Sequence, residues 1–180
     1  MSSGDITDAG NRLRLIRQHF LAPGTGGPTA ERTARATEPA AAMRLAVYDH
    51  MRDTVDEATS LAAELCEGTR PNQPRPAATE DVYQWLVNQT AHLDEARQRA
   101  RDAVIYRQNL QHAILMGDID VVRPHPCPGC ATWGLMWDGD TVRCTNQHCA
   151  DDDGRPTTWT LAQIAERHVE RKTRRALRAT

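Results

Sequence analysis

The most informative stretch for the C-terminal part of the chain is residues 124–160, with the sequence PHPCPGCATWGLMWDGDTVRCTNQHCADDDGRPTTWT. Four of the five cysteines lie in this stretch, with the spacing Cys-x2-Cys-x13-Cys-x4-Cys: Cys127, Cys130, Cys144 and Cys149. Structural Zn²⁺ takes four such ligands as a tetrahedron, and the Pro128-Gly129 dipeptide is typical of the sharp turn that lets one pair share an ion. The spacing therefore predicts one Zn²⁺ bound by all four thiolates.

The chain between the two cysteine pairs has the pattern of a β-hairpin. Alternating residues over 132–137 and 141–144 flank the turn-forming sequence Asp-Gly-Asp at 138–140, and residues 157–160 predict a third strand. Residues 121–160 are therefore interpreted as a zinc ribbon. Its small core is expected to hold Trp133, Trp137, Trp159, Leu135 and Val142, with an exposed tryptophan stack for nucleic-acid bases as the alternative.

The second cysteine pair is wider than usual, so the identity of the fourth ligand stays open. His148 or His125 is the alternative to one of the cysteines. Four protein ligands would leave no position for water or substrate, which predicts a structural metal and no catalytic one. A thioredoxin-like use of Cys-Pro-Gly-Cys requires a βαβ pattern, and the sequence around it has none.

Two longer patterns precede the ribbon. Small and apolar residues recur every three or four positions over 40–66, and again over 79–117, where a single helix would extend about 50 Å. A Pro-rich loop at 69–78 separates them, so residues 42–118 predict a long antiparallel helical hairpin, with a coiled-coil dimer as the alternative. Gln89 and Arg107 interrupt the second seam and are expected at its solvent-facing edge.

The N-terminal 41 residues predict a short helix and a linker. Leu13, Ile16 and Phe20 share one helical face within residues 1–21, which indicates either a helix docked on the body or a tethered peptide that folds onto a partner. Residues 22–41 are rich in Gly, Pro, Thr and Ala without apolar periodicity and are interpreted as a flexible linker.

A basic helix is predicted over 161–180, after an N-cap at Thr160. Six basic residues stand against two acidic ones in 160–180, and nucleic-acid contacts are assigned to Arg167, Arg171, Lys172, Arg174, Arg175 and Arg178. Pairing with the acidic helices of the same chain, or a solvated tail, are the alternatives. A degenerate helix-turn-helix is also conceivable here, but the missing turn glycine favours one continuous helix.

The segment from Cys127 to Val169 resembles small zinc-ribbon proteins of unknown function from actinobacteria and phages. The similarity lies in the four cysteines, the Trp133-Gly134-Leu135 strand, the Asp-rich turn at 151–153 and Trp159-Thr160-Leu161. It covers about a quarter of the chain. The resemblance implies a metal site and an actinobacterial or phage origin, and it implies no activity.

Composition limits the remaining possibilities. The 180 residues carry a net charge of −2, with an acidic middle (8 Lys+Arg against 13 Asp+Glu over 41–120). No apolar stretch is long enough for a membrane span, no signal peptide is visible, and clustered cysteines argue for metal over disulfides, so a cytoplasmic location is predicted. We expect a mainly α, non-enzymatic protein without a small-molecule substrate, which binds DNA or RNA or else a protein partner or second copy of itself.

Overall fold

A computed structural model of the protein describes residues 3–21, 39–66 and 74–179. The main elements in these ranges are five α-helices and one small antiparallel sheet. The elements are α1 (Ser3–Ile16), α2 (Pro39–Leu65), α3 (Val82–Thr90), α4 (Glu95–Leu115), β1 (Leu135–Asp138), β2 (Thr141–Cys144), β3 (Thr158–Trp159) and α5 (Leu161–Ala179). Most of the predicted linker (22–38) and part of the Pro-rich loop (69–73) lie outside the described residues. Residues 39–41, also assigned to the linker, belong to α2.

The single helix predicted over 79–117 is wrong, because the chain breaks it at residues 91–94. Asp94 has an extended backbone, and its carboxylate accepts a hydrogen bond from the Arg97 N–H at 3.0 Å, which caps the start of α4. The Gln98 side chain donates to the carbonyls of Ala91 and Leu93. These bonds satisfy the backbone groups that the break exposes.

Side-chain pairs give the directions of the helices. Arg101 reaches Thr90 near the break, and His112 reaches Tyr83 near the far ends, so α3 and α4 run antiparallel. α2 also runs antiparallel to α4: His50 bonds to His112, whereas Gln108, one turn earlier in α4, bonds to Thr54 and Glu57, which come one to two turns later in α2. α2 and α4 therefore run antiparallel, and α3 folds back against α4.

The predicted seams are partly confirmed. Val47, Met51, Thr54 and Ala58 of α2 are buried, whereas Ala96 and Ala100 at the start of α4 are exposed. The predicted seam position Leu110 is buried, but the other residues that α4 buries lie off the predicted seam: Arg101, Asp102, Ile105, Gln108, Asn109, His112 and Ala113. The break shifts the phase of the second seam, so the periodicity counted across it no longer identifies the inner face. The expectation of solvent-facing polar positions is wrong for Gln89, which is buried, and Arg107 is half-buried against Glu57.

The N-terminal helix is docked on the body. Leu13 and Ile16 are fully buried in one cluster with residues of α2, α3 and Ile105 of α4, and Phe20 packs against that cluster. Arg12 donates to the Asn109 carbonyl, and Lys172 of α5 forms an ion pair with Asp5. Within the described residues 3–21, this helix is therefore docked on the body. We call α1–α4 with this cluster the helical body.

The predicted hairpin of the cysteine segment is confirmed. β1 pairs with β2 in the register Leu135↔Cys144 to Asp138↔Thr141, and β2 pairs with β3, in the order β1-β2-β3. Leu135 and Val142 point into a second cluster together with Leu110 of α4 and with Leu161 and Ile164 of α5. We call residues 124–160 the ribbon.

The last helix, α5, is continuous from Leu161 to Ala179, so the helix-turn-helix alternative is wrong. Thr160 caps it, since its hydroxyl accepts a hydrogen bond from the Gln163 N–H while the Gln163 side chain accepts one from the Thr160 N–H. None of the helices in the described ranges is long and apolar enough to cross a membrane.

Candidate metal centre and the adjoining basic helix

The four cysteines of the ribbon meet at one point. Their sulfur atoms all lie within 4.8 Å of one another, and the Cys127–Cys149 and Cys130–Cys144 Sγ pairs are each 3.7 Å apart. A disulfide requires about 2.05 Å, so neither pair is bonded. A regular tetrahedron of thiolates with metal–sulfur bonds of about 2.3 Å has edges of about 3.8 Å. The group therefore has the size and the donor set to hold a metal ion.

Backbone hydrogen bonds hold the two cysteine pairs in place. The Cys127 N–H donates to the Thr132 carbonyl, and the Ala131 N–H returns to the Cys127 carbonyl, both at 2.9 Å. Ala131 adopts a left-handed backbone with φ 60°, which turns the first pair sharply. In the second pair, the Cys149 N–H donates to the Asn146 carbonyl, and the Cys149 carbonyl accepts a hydrogen bond from the Thr157 N–H. The cysteines thus lie on two turns joined by β1 and β2.

The two histidines considered as ligands do not join this group. His125 is buried beside Tyr106, with its Nε2 3.3 Å from the Tyr106 hydroxyl, and it also meets the ring of His168. His148 is exposed, and its backbone N–H donates to the Asn146 side chain. Among the described residues, the metal-ligating group at this point consists of cysteines alone.

The sulfurs differ in their readiness to lose a proton. Hydrogen bonds from Thr132 lower the pKa of Cys130 to about 6, whereas burial raises the pKa of Cys144 to about 12. Four thiolates at this spacing repel one another, so a cation has to accompany the deprotonation of the set. Metal binding here should therefore release protons and weaken in acid.

One tryptophan departs from the predicted core. Leu135 and Val142 are buried, and Trp137 and Trp159 pack against the same cluster, as expected. Trp133, in contrast, is 58% exposed. Alternation predicted it on the inner face with Leu135, but β1 begins only at Leu135, and Gly134 with φ 114° intervenes, so the parity of the strand does not extend to Trp133.

The basic residues of α5 divide into two groups. Lys172 is turned toward α1, where it pairs with Asp5. The others lie on positions that fall within about 100° of arc around the helix: Arg167, Arg171, Arg174, Arg175 and Arg178, here called the arginine stripe. Arg167 and Arg174 both reach Glu170, at 3.1 and 3.9 Å. The Arg171 guanidinium lies over the Trp133 ring, 5.5 Å from its centroid.

The structure contains two clusters of histidine and tyrosine that the sequence did not predict. Tyr83, His112 and His50 form a hydrogen-bonded row across three helices, with distances of 2.6 and 2.9 Å. Burial lowers the pKa of His112 to about 3, so it is neutral at pH 7. The second cluster places Tyr106 flat against His168, with ring centroids 3.8 Å apart, beside His125. The members lie far apart in the chain, so no spacing signals them.

No protein-family model, curated protein or solved structure matches this sequence. The resemblance to actinobacterial and phage zinc-ribbon proteins stays a prediction. What the chain does has to be inferred from the cysteine cluster and from α5 themselves.

Proposed function

We propose that this protein is a non-enzymatic zinc-ribbon protein that acts as a nucleic-acid-associated or regulatory adaptor. The observation that carries the metal assignment is the tetrahedron-sized cluster of four sulfurs. An all-thiolate set suits Zn²⁺ and excludes Ca²⁺ and Mg²⁺, which require oxygen ligands. Four protein ligands close the coordination sphere, so the metal would be structural. A reducing compartment such as the cytoplasm would keep the thiolates available.

Metal analysis of the purified protein tests this assignment. We expect one zinc per chain after purification under reducing conditions, and replacement by Co²⁺ should give the absorption of a tetrahedral thiolate centre. Iron is the other metal that four thiolates accept in this geometry. A coloured protein with stoichiometric iron would contradict the zinc assignment, and a protein with no metal would contradict the site.

The arginine stripe supports the association with nucleic acid. A row of guanidinium groups along one helix can contact successive phosphates, and the ribbon holds α5 in place through the buried Leu161 and Ile164. Arg175 and Arg178 are exposed near the end of the helix. The net charge of −2 offers no broad positive field, so we expect a local contact.

Salt dependence tests the contact. If about three phosphates are engaged on a single strand, affinity should fall about 20-fold between 50 and 200 mM salt. Arg171→Glu with Arg175→Glu should abolish binding. Arg52→Glu with Arg75→Glu changes the charge equally at exposed arginines of or near α2 and should weaken binding much less. Equal losses in both double variants would show that no specific surface is used.

A protein–protein module is the second candidate. Leu45 and Tyr48 are 62% and 56% exposed and lie one turn apart on α2, where a partner helix or a second copy could cover them. Self-association that is insensitive to salt and lost in Leu45→Asp would favour this function. The phage or mobile-element setting rests on the resemblance of the cysteine segment alone.

A further inference from the structure

Trp133 is the most exposed of the four tryptophans and stands at the edge of the metal-site turns. Trp85 is 6% exposed, and Trp137 and Trp159 pack against the ribbon core, whereas 58% of Trp133 remains accessible. Leaving a large aromatic ring in water forgoes the gain that burial would bring. The backbone at this position is paired: Trp133 forms an antiparallel bridge with Pro126, and the Cys127 N–H donates to the Thr132 carbonyl.

The arginine stripe runs past this ring. Arg171 lies over Trp133, and Arg175 and Arg178 follow at one-turn intervals along the same side of α5, about 10 Å from first to last. No ion pair involves Arg175 or Arg178 among the described residues, while Glu170 already occupies Arg167 and Arg174. An aromatic surface and a row of available cations therefore adjoin each other, one from the ribbon and one from α5.

We propose that this surface binds single-stranded nucleic acid, with one base stacked on Trp133 and the backbone phosphates along Arg171, Arg175 and Arg178. The inference rests on the nucleic-acid association proposed above and names its form. A base face is available to an indole only when the base is unpaired, because stacked pairs in a duplex cover it. Arg171 contributes twice, since its guanidinium lies over the indole at cation–π distance and its N–H groups can bind a phosphate.

A short strand suits the dimensions better than a duplex does. The row of three arginines spans about 10 Å, which corresponds to the low end of single-strand sites, about four nucleotides. Glu170 borders the stripe, where it pairs with Arg167 and Arg174, and the exposed Glu166 lies one turn before it. These carboxylates would repel the second strand of a duplex lying across the helix. The chain's net charge is −2. A duplex would therefore find little favourable electrostatic contact outside the three arginines.

The test uses the full-length zinc-loaded protein and a fluorescent single-stranded oligothymidylate of 12 nucleotides, with binding read by anisotropy at 50 mM salt. A duplex of 12 base pairs and an abasic strand of the same length serve as comparison probes. We expect the single strand to bind at least tenfold more tightly than either. Trp133→Ala should weaken single-strand binding about tenfold or more, and Trp133→Phe should keep most of the affinity.

The matched control is Met136→Ala, which trims another exposed apolar side chain of the ribbon and should leave the affinity unchanged. Zinc content confirms that each variant is folded. If the duplex or the abasic strand binds as well as the single strand, or if Trp133→Ala binds like wild type, the stacking site is wrong and the association with nucleic acid stands. If wild type binds none of the probes, the proposed function itself fails.

Discussion

The helical body and the ribbon bury their apolar residues by different means. The body draws a continuous cluster from four helices, with members such as Leu13, Val55, Tyr83, Leu86 and Ile105 all at most 2% exposed. The ribbon has strands of four, four and two residues. Its cluster counts Cys127 and Cys144 among its buried members and relies on residues of α4 and α5 to complete it.

The difference indicates which part would depend on a metal bound by the four cysteines. Four helices with a shared core can stabilise themselves, since burial of apolar surface is large enough to offset chain entropy. Three short strands cannot, because so small a sheet buries little. We therefore expect the body to fold without the metal and the ribbon to require it.

Loss of one thiolate should have the largest effect. Cys144→Ser removes a buried ligand on β2, and structural zinc contributes on the order of 10 kcal/mol to folding in small domains. We expect zinc to be lost and hydrogen-exchange protection to disappear over residues 126–159, while most far-UV helical signal remains. Cys66→Ser is the matched control, since Cys66 lies at the end of α2, outside the cluster. Global unfolding of Cys144→Ser would contradict the independence of the body.

A cavity in the body should destabilise the body and leave the ribbon and its zinc binding unchanged. Leu86 of α3 is fully buried, and Leu86→Ala should lower the free energy of unfolding of the body by about 2–5 kcal/mol. Zinc stoichiometry and the affinity for a chelator in competition should stay at the wild-type values. Leu45→Ala removes the same atoms from an exposed site on α2 and should change stability little. A parallel loss of zinc in Leu86→Ala would show that the two regions fold as one unit.

The ribbon hairpin was predictable because its signals are local. The Asp-Gly turn, the alternation of Leu135, Trp137 and Val142, and the cysteine spacing all act within about 25 residues, and the sheet and the meeting of the four sulfurs follow them. The metal itself stays a prediction. Trp133 was misplaced because strand alternation was extended across Gly134, where the pairing of β1 has not yet begun.

The helical body was less predictable because its decisive contacts are distant in sequence. The break before α4 contains neither Gly nor Pro, and Asp94 reads equally well as a helix-surface residue or as a cap. The row from Tyr83 through His112 to His50 joins positions 29 and 62 residues apart. Periodicity identifies a buried face within one helix and carries no information about which polar groups meet between helices.

That histidine row predicts acid sensitivity of the body. His112 is fully buried, and burial together with the nearby His50 lowers its pKa to about 3. Below pH 6.5 the unfolded chain binds a proton at this position, whereas the folded chain does not. The free energy of unfolding is therefore unaffected by this group above pH 6.5, and it decreases as the pH falls from 6.5 toward 3. One such group contributes about 1.4 kcal/mol per pH unit, or about 3 kcal/mol by pH 4.5.

Urea unfolding followed by far-UV CD from pH 7.5 to 4.5 measures this slope. His112→Gln should lower stability at pH 7.5 and flatten the slope, because no histidine remains at that position to take up the proton. His92→Gln, at an exposed position in the break, should leave the wild-type slope. Acid also removes zinc, so the difference between the variants is the informative quantity. Identical slopes in all three proteins would exclude His112 as the cause.

The smallest effects come from a matched pair of turn glycines, one in each region. Gly117 follows α4 with φ 88°, and Gly139 lies in the β1–β2 turn with φ 66°; a Cβ at either would contact nothing within 4 Å. Substitution by Ala should therefore cost only the unfavourable backbone conformation, about 1 kcal/mol at each site.

If the two regions are stabilised separately, Gly117→Ala should lower the urea midpoint of the helical signal and leave zinc affinity unchanged. Gly139→Ala should weaken zinc binding about fivefold and leave the helical midpoint in place, since a penalty on the ribbon fold falls on the equilibrium that the metal drives. If each substitution lowers both the helical midpoint and the zinc affinity to the same extent, the body and the ribbon share one folding transition. The two apolar clusters would then be coupled through α4 and α5.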